Sequence, residues 1–239
     1  MTDSSSFPYG EKIDARSLIK LDEGVVEIGV RIAYAIAMKS SKSGSSRCLD
    51  EEIEKLVEQI MNTYDLESLK DNTVIKAYRS FYWRLGIDPT KVRPSSEALV
   101  RRVLKNKRFP RVNTVVDAGN VASAKTLVPI GIYDLDKATL PLTFKLSRGG
   151  EVFESIGGFS ELLPPGVPIL VDSSNTVMHL YPHRDSVKTA VDESTVRVLI
   201  IGAGVPGVST ELLVNAVDIT ITLLESCGWT RLSETLTKP

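Results

Sequence analysis

Six short apolar segments follow one another between residues 130 and 202: IGIYDL (130–135), LTFKLS (142–147), EVFESI (151–156), PILVDSS (168–174), TVMHLYP (176–182) and TVRVLIIG (195–202). Segments of this kind, separated by turn residues at a spacing of roughly 8 to 12 residues, are typical of short strands. The pattern predicts a mainly antiparallel sheet. A further strand is predicted over VVEIGVRIAYAIAM (25–38), which is rich in Val, Ile and Ala.

Helical patterns surround these strands. The apolar spacing predicts helices over 49–64, about 66–85, 94–106 and 208–228. Residues 112–128 are interpreted as another helix, with a strand as the less favoured alternative. The sequence therefore predicts an α+β fold in which helices flank a central, mainly antiparallel sheet.

The composition is that of an ordinary globular protein. The chain has 239 residues, 29 basic against 30 acidic side chains and 42% hydrophobic residues. These values exclude disordered, collagen-like and coiled-coil proteins. No apolar run is long enough to span a membrane, so no membrane partner is expected. Residues 1–77 are predicted to pack as a strand and helix region on a core formed by residues 78–239.

Cysteine and histidine are scarce. Cys48 and Cys227 lie far apart with no partner at metal-ligand spacing, which predicts neither a disulfide nor a zinc site and favours a cytoplasmic location. His179 and His183 are too few for a histidine-rich metal centre. We therefore expect no metal and no cofactor.

A glycine pattern follows the last predicted strand. In VRVLIIGAGVPG (196–207), Gly202, Gly204 and Gly207 have the spacing of a dinucleotide-binding turn. Such a turn requires a parallel sheet with further βα units, and the residues after Gly207 hold one convincing helix and no second strand. The motif is therefore interpreted as a structural loop between the last strand and the last helix, without dinucleotide binding.

Two polar groups of residues are candidates for a site. Asn113, Asp117 and Asn120 share one face of the helix predicted over 112–128, so they either tie down neighbouring loops or line a polar pocket. The loop HRDS (183–186) holds the second group. His183, Asp185 and Ser186 are interpreted as stabilising this loop, because residues so close in one loop seldom form a catalytic trio.

A basic run precedes the polar helix. It contains eight basic residues and the single acid Glu97. The run is either a solvated helix face or a surface that binds phosphate groups. Its position favours tRNA, through the residues Lys91, Arg93, Arg101, Arg102, Lys105, Lys107, Arg108 and Arg111.

Several of these segments together resemble a known family. RVNTVVDAGN (111–120), VPIGIYDLDKA (128–138), RGGEVF (148–153), ILVDS (169–173) and HRDSVKTAVDEST (183–195) are similar to the editing domain of the phenylalanyl-tRNA synthetase beta subunit, the B-three/B-four domain. YRSFYWRLGIDPTKVRPSSEALVRRVL (78–104) resembles the lead-in found in free-standing relatives of that domain. The similarity covers about residues 78–228.

The resemblance implies an activity. In the synthetase this domain hydrolyses the ester of tyrosine wrongly attached to phenylalanine tRNA. A pocket made for the apolar ring of phenylalanine excludes tyrosine, with its added hydroxyl, only weakly, so a second site must remove the error. The family is understood to use no protein nucleophile. Polar residues and backbone amides hold the aminoacyl ester while a water attacks it with help from a tRNA hydroxyl.

The resemblance also implies a substrate pocket, with two departures from the family pattern. Gly131 stands where the bacterial synthetase pattern has histidine, and Asp185 substitutes for the acid that reads the tyrosine hydroxyl. The expected pocket residues are Asn113, Asp117, Asn120, Gly131, Tyr133, Asp134, His183, Arg184 and Asp185.

Three functions follow from these observations. The first is a free-standing editing-type hydrolase that acts in trans on mischarged aminoacyl-tRNA or a similar aminoacyl ester. The second is a non-catalytic module that binds tRNA or an amino acid in the same pocket, which the glycine at 131 favours. The third, a nucleotide-dependent oxidoreductase, depends on the glycine spacing alone.

Overall fold

The computed structural model describes residues 14–40 and 47–239. Its helices and strands, in chain order, are β1 (Ile19–Leu21), α1 (Glu23–Glu27), β2 (Arg31–Lys39), α2 (Asp50–Thr63), α3 (Thr73–Arg84), α4 (Ser95–Asn106), α5 (Thr114–Thr126), β3 (Ile130–Asp134), β4 (Leu142–Leu146), β5 (Val152–Glu154), β6 (Ser160–Leu162), β7 (Pro168–Val171), β8 (Val177–Leu180), β9 (Arg184–Asp185), β10 (Arg197–Gly204), α6 (Thr210–Ser226), β11 (Trp229–Arg231) and β12 (Leu236–Lys238). Short 3₁₀ helices cover Ser68–Asp71, Leu135–Lys137 and Val187–Thr189.

Within the described residues the strands form two five-stranded sheets and one hairpin. The first sheet has the order β1-β4-β7-β8-β9, and the second has the order β11-β2-β10-β3 with β12 also paired to β2. β5 and β6 form the hairpin. β1 pairs with β4 in parallel, and every other pairing among these strands is antiparallel. The predicted α+β class with mainly antiparallel pairing is confirmed.

Helices cover the second sheet and complete the core. α5 and α6 pack against each other, α6 lies on β2 and β10, and α5 lies on β3. β2 stands between β10 and β11, so residues before 77 contribute to the same apolar core as the rest of the chain. No helix in the ranges 14–40 and 47–239 is both long and apolar enough to cross a membrane.

The strand predicted over 25–38 is partly wrong, because its first residues belong to α1. After α1 ends, the Val30 N–H still donates a hydrogen bond to Val25 O at 3.0 Å, and β2 begins only at Arg31. Val25 is fully buried in this helical turn. Apolar content alone does not separate a buried helical turn from a buried strand, which explains the difference.

The glycine pattern lies mostly inside a strand. Gly202 and Gly204 belong to β10, between the antiparallel partners β2 and β3, so the expectation of a loop is wrong for these two residues. A Cβ at Gly204 would lie 2.9 Å from Arg31 O and closer still to Leu213 Cδ1 of α6. The missing side chain lets α6 approach the sheet, which is a packing role.

A disulfide joins Cys48 and Cys227, with the two Cα atoms 5.3 Å apart. The prediction that these cysteines do not pair is therefore wrong. The bond ties the segment just before α2 to the C-terminal end of α6. Because cytoplasmic disulfides are uncommon, the cysteines no longer support a reducing compartment.

A buried ion-pair cluster joins α3 to α4. The Glu97 side chain is fully buried, and Arg79 Nη1 lies 2.9 and 3.0 Å from its two carboxylate oxygens. Arg101 Nε donates to the same carboxylate at 2.8 Å, and its Nη1 donates to Leu66 O at 2.8 Å. Glu97 therefore holds two arginines, and Arg101 in turn fixes the loop before α3.

Candidate functional site

Two adjoining cavities lie where α4, α5, β3 and the β8–β9 hairpin meet. We call them the inner cavity, of about 120 Å³, and the outer cavity, of about 310 Å³. Both are lined by Asn120, Ile130, Tyr133 and Asp185. The inner cavity also contacts Ser95, Leu99, Ser123, Pro129, Gly131, Phe144, His179, Tyr181, Pro182, His183, Ile201 and Ala203, and the outer cavity contacts Val112, Asn113, Val116, Gly119, Ile132, Ile156, Ser186, Thr189, Ala190 and Val191.

His179 and Asp185 form a hydrogen bond at the boundary between the cavities. The antiparallel pairing of β8 with β9 places the two residues opposite each other, and His179 Nδ1 lies 2.8 Å from Asp185 Oδ1. The His179 side chain is 7% exposed and that of Asp185 is 36% exposed. Since an ionised carboxylate only accepts hydrogen bonds, we assign the proton to Nδ1, which leaves Nε2 as an acceptor in the neutral ring.

Tyr133 completes this polar group. Its pKa is raised well above the usual value by burial first, and then by the charge of Asp185 and a hydrogen bond to that carboxylate. The phenol therefore stays protonated at physiological pH. The residues at 131 and 133 point to the same side of β3, and a Cβ at Gly131 would lie 2.8 Å from Tyr133 Cζ and closer still to the hydroxyl. In this chain the tyrosine hydroxyl thus fills the space beside position 131.

The far wall of the inner cavity is rigid. Tyr181 Oη lies 2.5 Å from Gly204 O and 3.0 Å from Arg31 O, and the ring packs edge-on against Phe144 and Phe81. Both oxygens are main-chain carbonyls of paired strands, so the hydroxyl is anchored to the second sheet. Tyr181 is 1% exposed.

His183 lies beside the inner cavity in neutral form. Burial, followed by the neighbouring His179 and Arg184, lowers the pKa of His183 to about 4. Its ring packs against Tyr82 at 5.4 Å between centroids. Its buried Nδ1 has no hydrogen-bond partner in the described part of the chain. At neutral pH the ring is therefore an uncharged polar group.

The structure separates the three residues of the predicted polar stripe. Asn113 is the N-cap of α5, and its side chain accepts from Val116 N at 2.9 Å. Asp117 is buried and accepts from Arg111 Nε at 2.7 Å and from the main-chain N–H of residue 112 at 2.9 Å, so it ties the preceding loop to the helix. Asn120 alone of the three lines both cavities.

Two other expected pocket residues line neither cavity. Asp134 is buried, where it accepts from Thr195 Oγ1 at 2.7 Å and caps a 3₁₀ helix. Arg184 pairs with Glu161 at 2.5 Å and lies over the ring of Phe153. The carboxylate of Asp134 is therefore used inside the fold, as that of Asp117 is, and the guanidinium of Arg184 is used in a partly exposed ion pair. Gly131, Tyr133, His183 and Asp185 do lie at the cavities.

Sequence reasoning missed His179, Phe144 and Tyr181. The strand TVMHLYP was correctly predicted, and its alternation places residues 179 and 181 on one face. That alternation was the available signal for His179 and Tyr181. The partner strand β9 has two residues and carries no pattern of its own, so the contact between His179 and Asp185 had no signal in the sequence.

The basic run divides into two groups. Arg101 is bound to Glu97, and Arg111 bridges Asp117 and Asp50, so both have structural partners. Lys107 and Arg108 are exposed at the end of α4. A surface groove of about 370 Å³ is lined by α4 and the loop before it, through Lys91, Arg93, Ala98, Arg101, Arg102, Lys105 and Asn106. α4 thus faces this groove on one side and contributes Ser95 and Leu99 to the inner cavity.

One solved structure similar to the chain is the crystal structure of an N-terminal fragment of the phenylalanyl-tRNA synthetase beta subunit from Pyrococcus horikoshii. The two share 18% sequence identity with a TM-score of 0.48, over 92% of this chain and 54% of that chain. The chain therefore spans about half the length of that fragment. No curated protein matches the chain.

A family model gives the decisive comparison. The model described as the B3/4 domain matches residues 77–226, which is more than half of the chain. This range includes α4, α5 and the residues shared by the two cavities. It also agrees with the resemblance found in the segments between 78 and 228. The chain belongs to the B3/4 domain family.

Proposed function

We propose that this protein is an editing-type hydrolase that acts in trans on mischarged aminoacyl-tRNA or a similar aminoacyl ester. The observation that carries the proposal is the polar junction between two adjoining cavities, formed by Asn120, Tyr133 and Asp185. An aminoacyl-tRNA end has two parts, an amino acid and a nucleoside, joined by an ester. Two cavities that meet at polar groups suit such a ligand.

The chemistry needs a positioned water rather than a protein nucleophile. With Nδ1 bonded to Asp185, His179 can accept a proton from water at Nε2 as the water oxygen bonds to the ester carbon. The bond from that carbon to the ribose oxygen then breaks, and the ribose oxygen receives the proton from the imidazolium. Asp185 fixes the tautomer of His179 and stabilises its charged form.

The groove on α4 supplies a surface for the tRNA backbone. Within the described residues, Lys91, Arg93, Arg102 and Lys105 form no ion pair. Exposed cations without carboxylate partners are suited to phosphate groups.

A second function, binding without turnover, is favoured by one observation. The tyrosine hydroxyl of residue 133 occupies the space beside Gly131, where the family pattern has histidine. A chain that had lost a catalytic group there would still offer both cavities to an amino acid or to the tRNA end. Binding and hydrolysis must therefore be measured separately.

The Asn120→Ala variant tests the pocket. Asn120 is half-buried and lines both cavities, so we expect its loss to reduce hydrolysis at least about tenfold with little change in the denaturation midpoint. Asp117→Ala is the matched control from the same helix. It should lower the unfolding free energy by about 1 to 3 kcal/mol and leave turnover per folded molecule unchanged, because Asp117 binds only the preceding loop. The opposite pattern would place the site elsewhere.

Salt dependence tests the groove. Replacing Lys91, Arg102 and Lys105 by Ala is expected to weaken tRNA binding and to reduce the slope of log affinity against log salt by about 2 to 3. The control replaces Lys55, Lys70 and Lys76, three lysines outside the groove, and should leave the slope unchanged. If both triple variants give the wild-type slope, phosphate contacts do not lie in this groove.

A further inference from the structure

We propose that the inner cavity selects aminoacyl groups with small side chains, such as those of glycine, alanine and serine, and rejects phenylalanine and tyrosine. The inference rests on the proposed function, because it names the substrate class for the same site. It differs from the tyrosine substrate of the synthetase editing domain, from whose pattern this chain departs at Gly131 and Asp185.

The size of the inner cavity is the first argument. Its volume is about 120 Å³. An engineered cavity in another protein that binds benzene has a volume of about 150 Å³. The inner cavity is smaller than that, so it accommodates a methyl or hydroxymethyl group more readily than a phenyl or phenol ring.

The walls of the inner cavity resist enlargement. Tyr181 is anchored by contacts of its hydroxyl with two main-chain carbonyls, and Phe144 packs against it edge-on at 5.5 Å between centroids. Tyr133 is held by Asp185 and fills the space beside Gly131. Each of these rings is at most 2% exposed, so moving one of them disturbs the core.

The direction of the substrate is the second argument. The amino acid is the terminal group of a charged tRNA, so the rest of the bound tRNA must extend out of the site through the more open cavity. The outer cavity is larger and has Val112 and Ile156 at its rim, with exposed fractions of 69% and 61%. The nucleoside therefore lies in the outer cavity, and the side chain enters the inner one. Asn120, Ser123 and His183 give that space polar groups compatible with a serine hydroxyl.

The test compares tRNAs that carry glycine, alanine, serine, phenylalanine or tyrosine. We expect kcat/KM for alanyl- and seryl-tRNA to exceed that for tyrosyl-tRNA by about 10- to 100-fold or more, since a pocket discriminates by about this factor for even one misfitting group. Equal or faster hydrolysis of the aromatic substrates would overturn the inference.

A binding assay separates this inference from the proposed function. Stable amides of serine and of tyrosine with 3′-amino-3′-deoxyadenosine are titrated against the full chain by calorimetry. Tighter binding of the serine amide supports the size selection even if no tRNA is hydrolysed, in which case only the proposed hydrolase fails. Equal binding, tighter binding of the tyrosine amide, or binding of neither contradicts the inference.

An enlarged cavity gives the converse test. Leu99→Ala shortens a side chain in the wall that α4 contributes and so enlarges the inner cavity. We expect it to raise the affinity for the tyrosine amide, relative to that for the serine amide, at least about tenfold. Val100→Ala, a neighbouring buried residue that lines neither cavity, is the control for a general loss of packing. Leu99→Val replaces Leu99→Ala if the latter does not fold. Unchanged selectivity in the folded Leu99 variant would count against the inner cavity as the side-chain site.

Discussion

Replacing Asp185 by Asn is expected to lower kcat for aminoacyl-ester hydrolysis by about 10²- to 10⁴-fold. The amide can present an N–H to His179 Nδ1 and so favour the tautomer in which Nε2 carries the proton and no longer accepts one. It also removes the negative charge that stabilises the imidazolium formed during the reaction. Steady-state kinetics on the best substrate of the tRNA panel measure the effect.

The control for this variant is Asp136→Asn. Asp136 carries the same chemical group in an ion pair with Arg197, outside both cavities, and its replacement should leave kcat unchanged. Thermal denaturation of both variants separates catalysis from folding. A kcat within threefold of wild type for a folded Asp185→Asn protein would remove the His179–Asp185 pair from the mechanism.

Replacing Glu97 by Ala is expected to reduce the unfolding free energy by about 3 to 5 kcal/mol. The change leaves Arg79 and Arg101 without their shared carboxylate, and the side chains of these arginines are only 20% and 17% exposed. Two poorly solvated guanidinium groups would then lie close together without a counter-charge. Urea unfolding followed by circular dichroism measures the loss.

Glu51→Ala is the matched control for Glu97. Glu51 pairs with Lys55 on the surface of α2, where both side chains are largely exposed, so we expect no measurable change in the unfolding free energy. If Glu97→Ala costs as little as Glu51→Ala, the buried cluster does not stabilise the junction of α3 and α4.

Elements with a strong local pattern were predictable. α2 and α6 repeat apolar residues at helical spacing, and the strands between 130 and 202 alternate or form short apolar runs. The short strands β11 and β12 were not predicted, because each has three residues and owes its conformation to pairing with β2. The disulfide between Cys48 and Cys227 was missed for a similar reason, since a separation of 179 residues carries no local signal.

The candidate site was predictable only in outline. The spacing of Asn113, Asp117 and Asn120 correctly indicated one helix, yet it gave no means of telling a cap from a loop anchor or from a cavity residue. Their roles depend on what each side chain meets, which for Asp117 is Arg111 in the preceding loop. His179 was missed because its partner Asp185 is brought opposite to it by a two-residue strand.

Single-turnover deacylation over the tRNA panel, with the full chain in excess, decides whether the protein is a hydrolase. We expect that at least one small aminoacyl group is released much faster than by spontaneous hydrolysis, and that Asp185→Asn abolishes most of this acceleration. If every charged tRNA in the panel binds but decays at its spontaneous rate, the protein is a binding module and the hydrolase proposal is wrong.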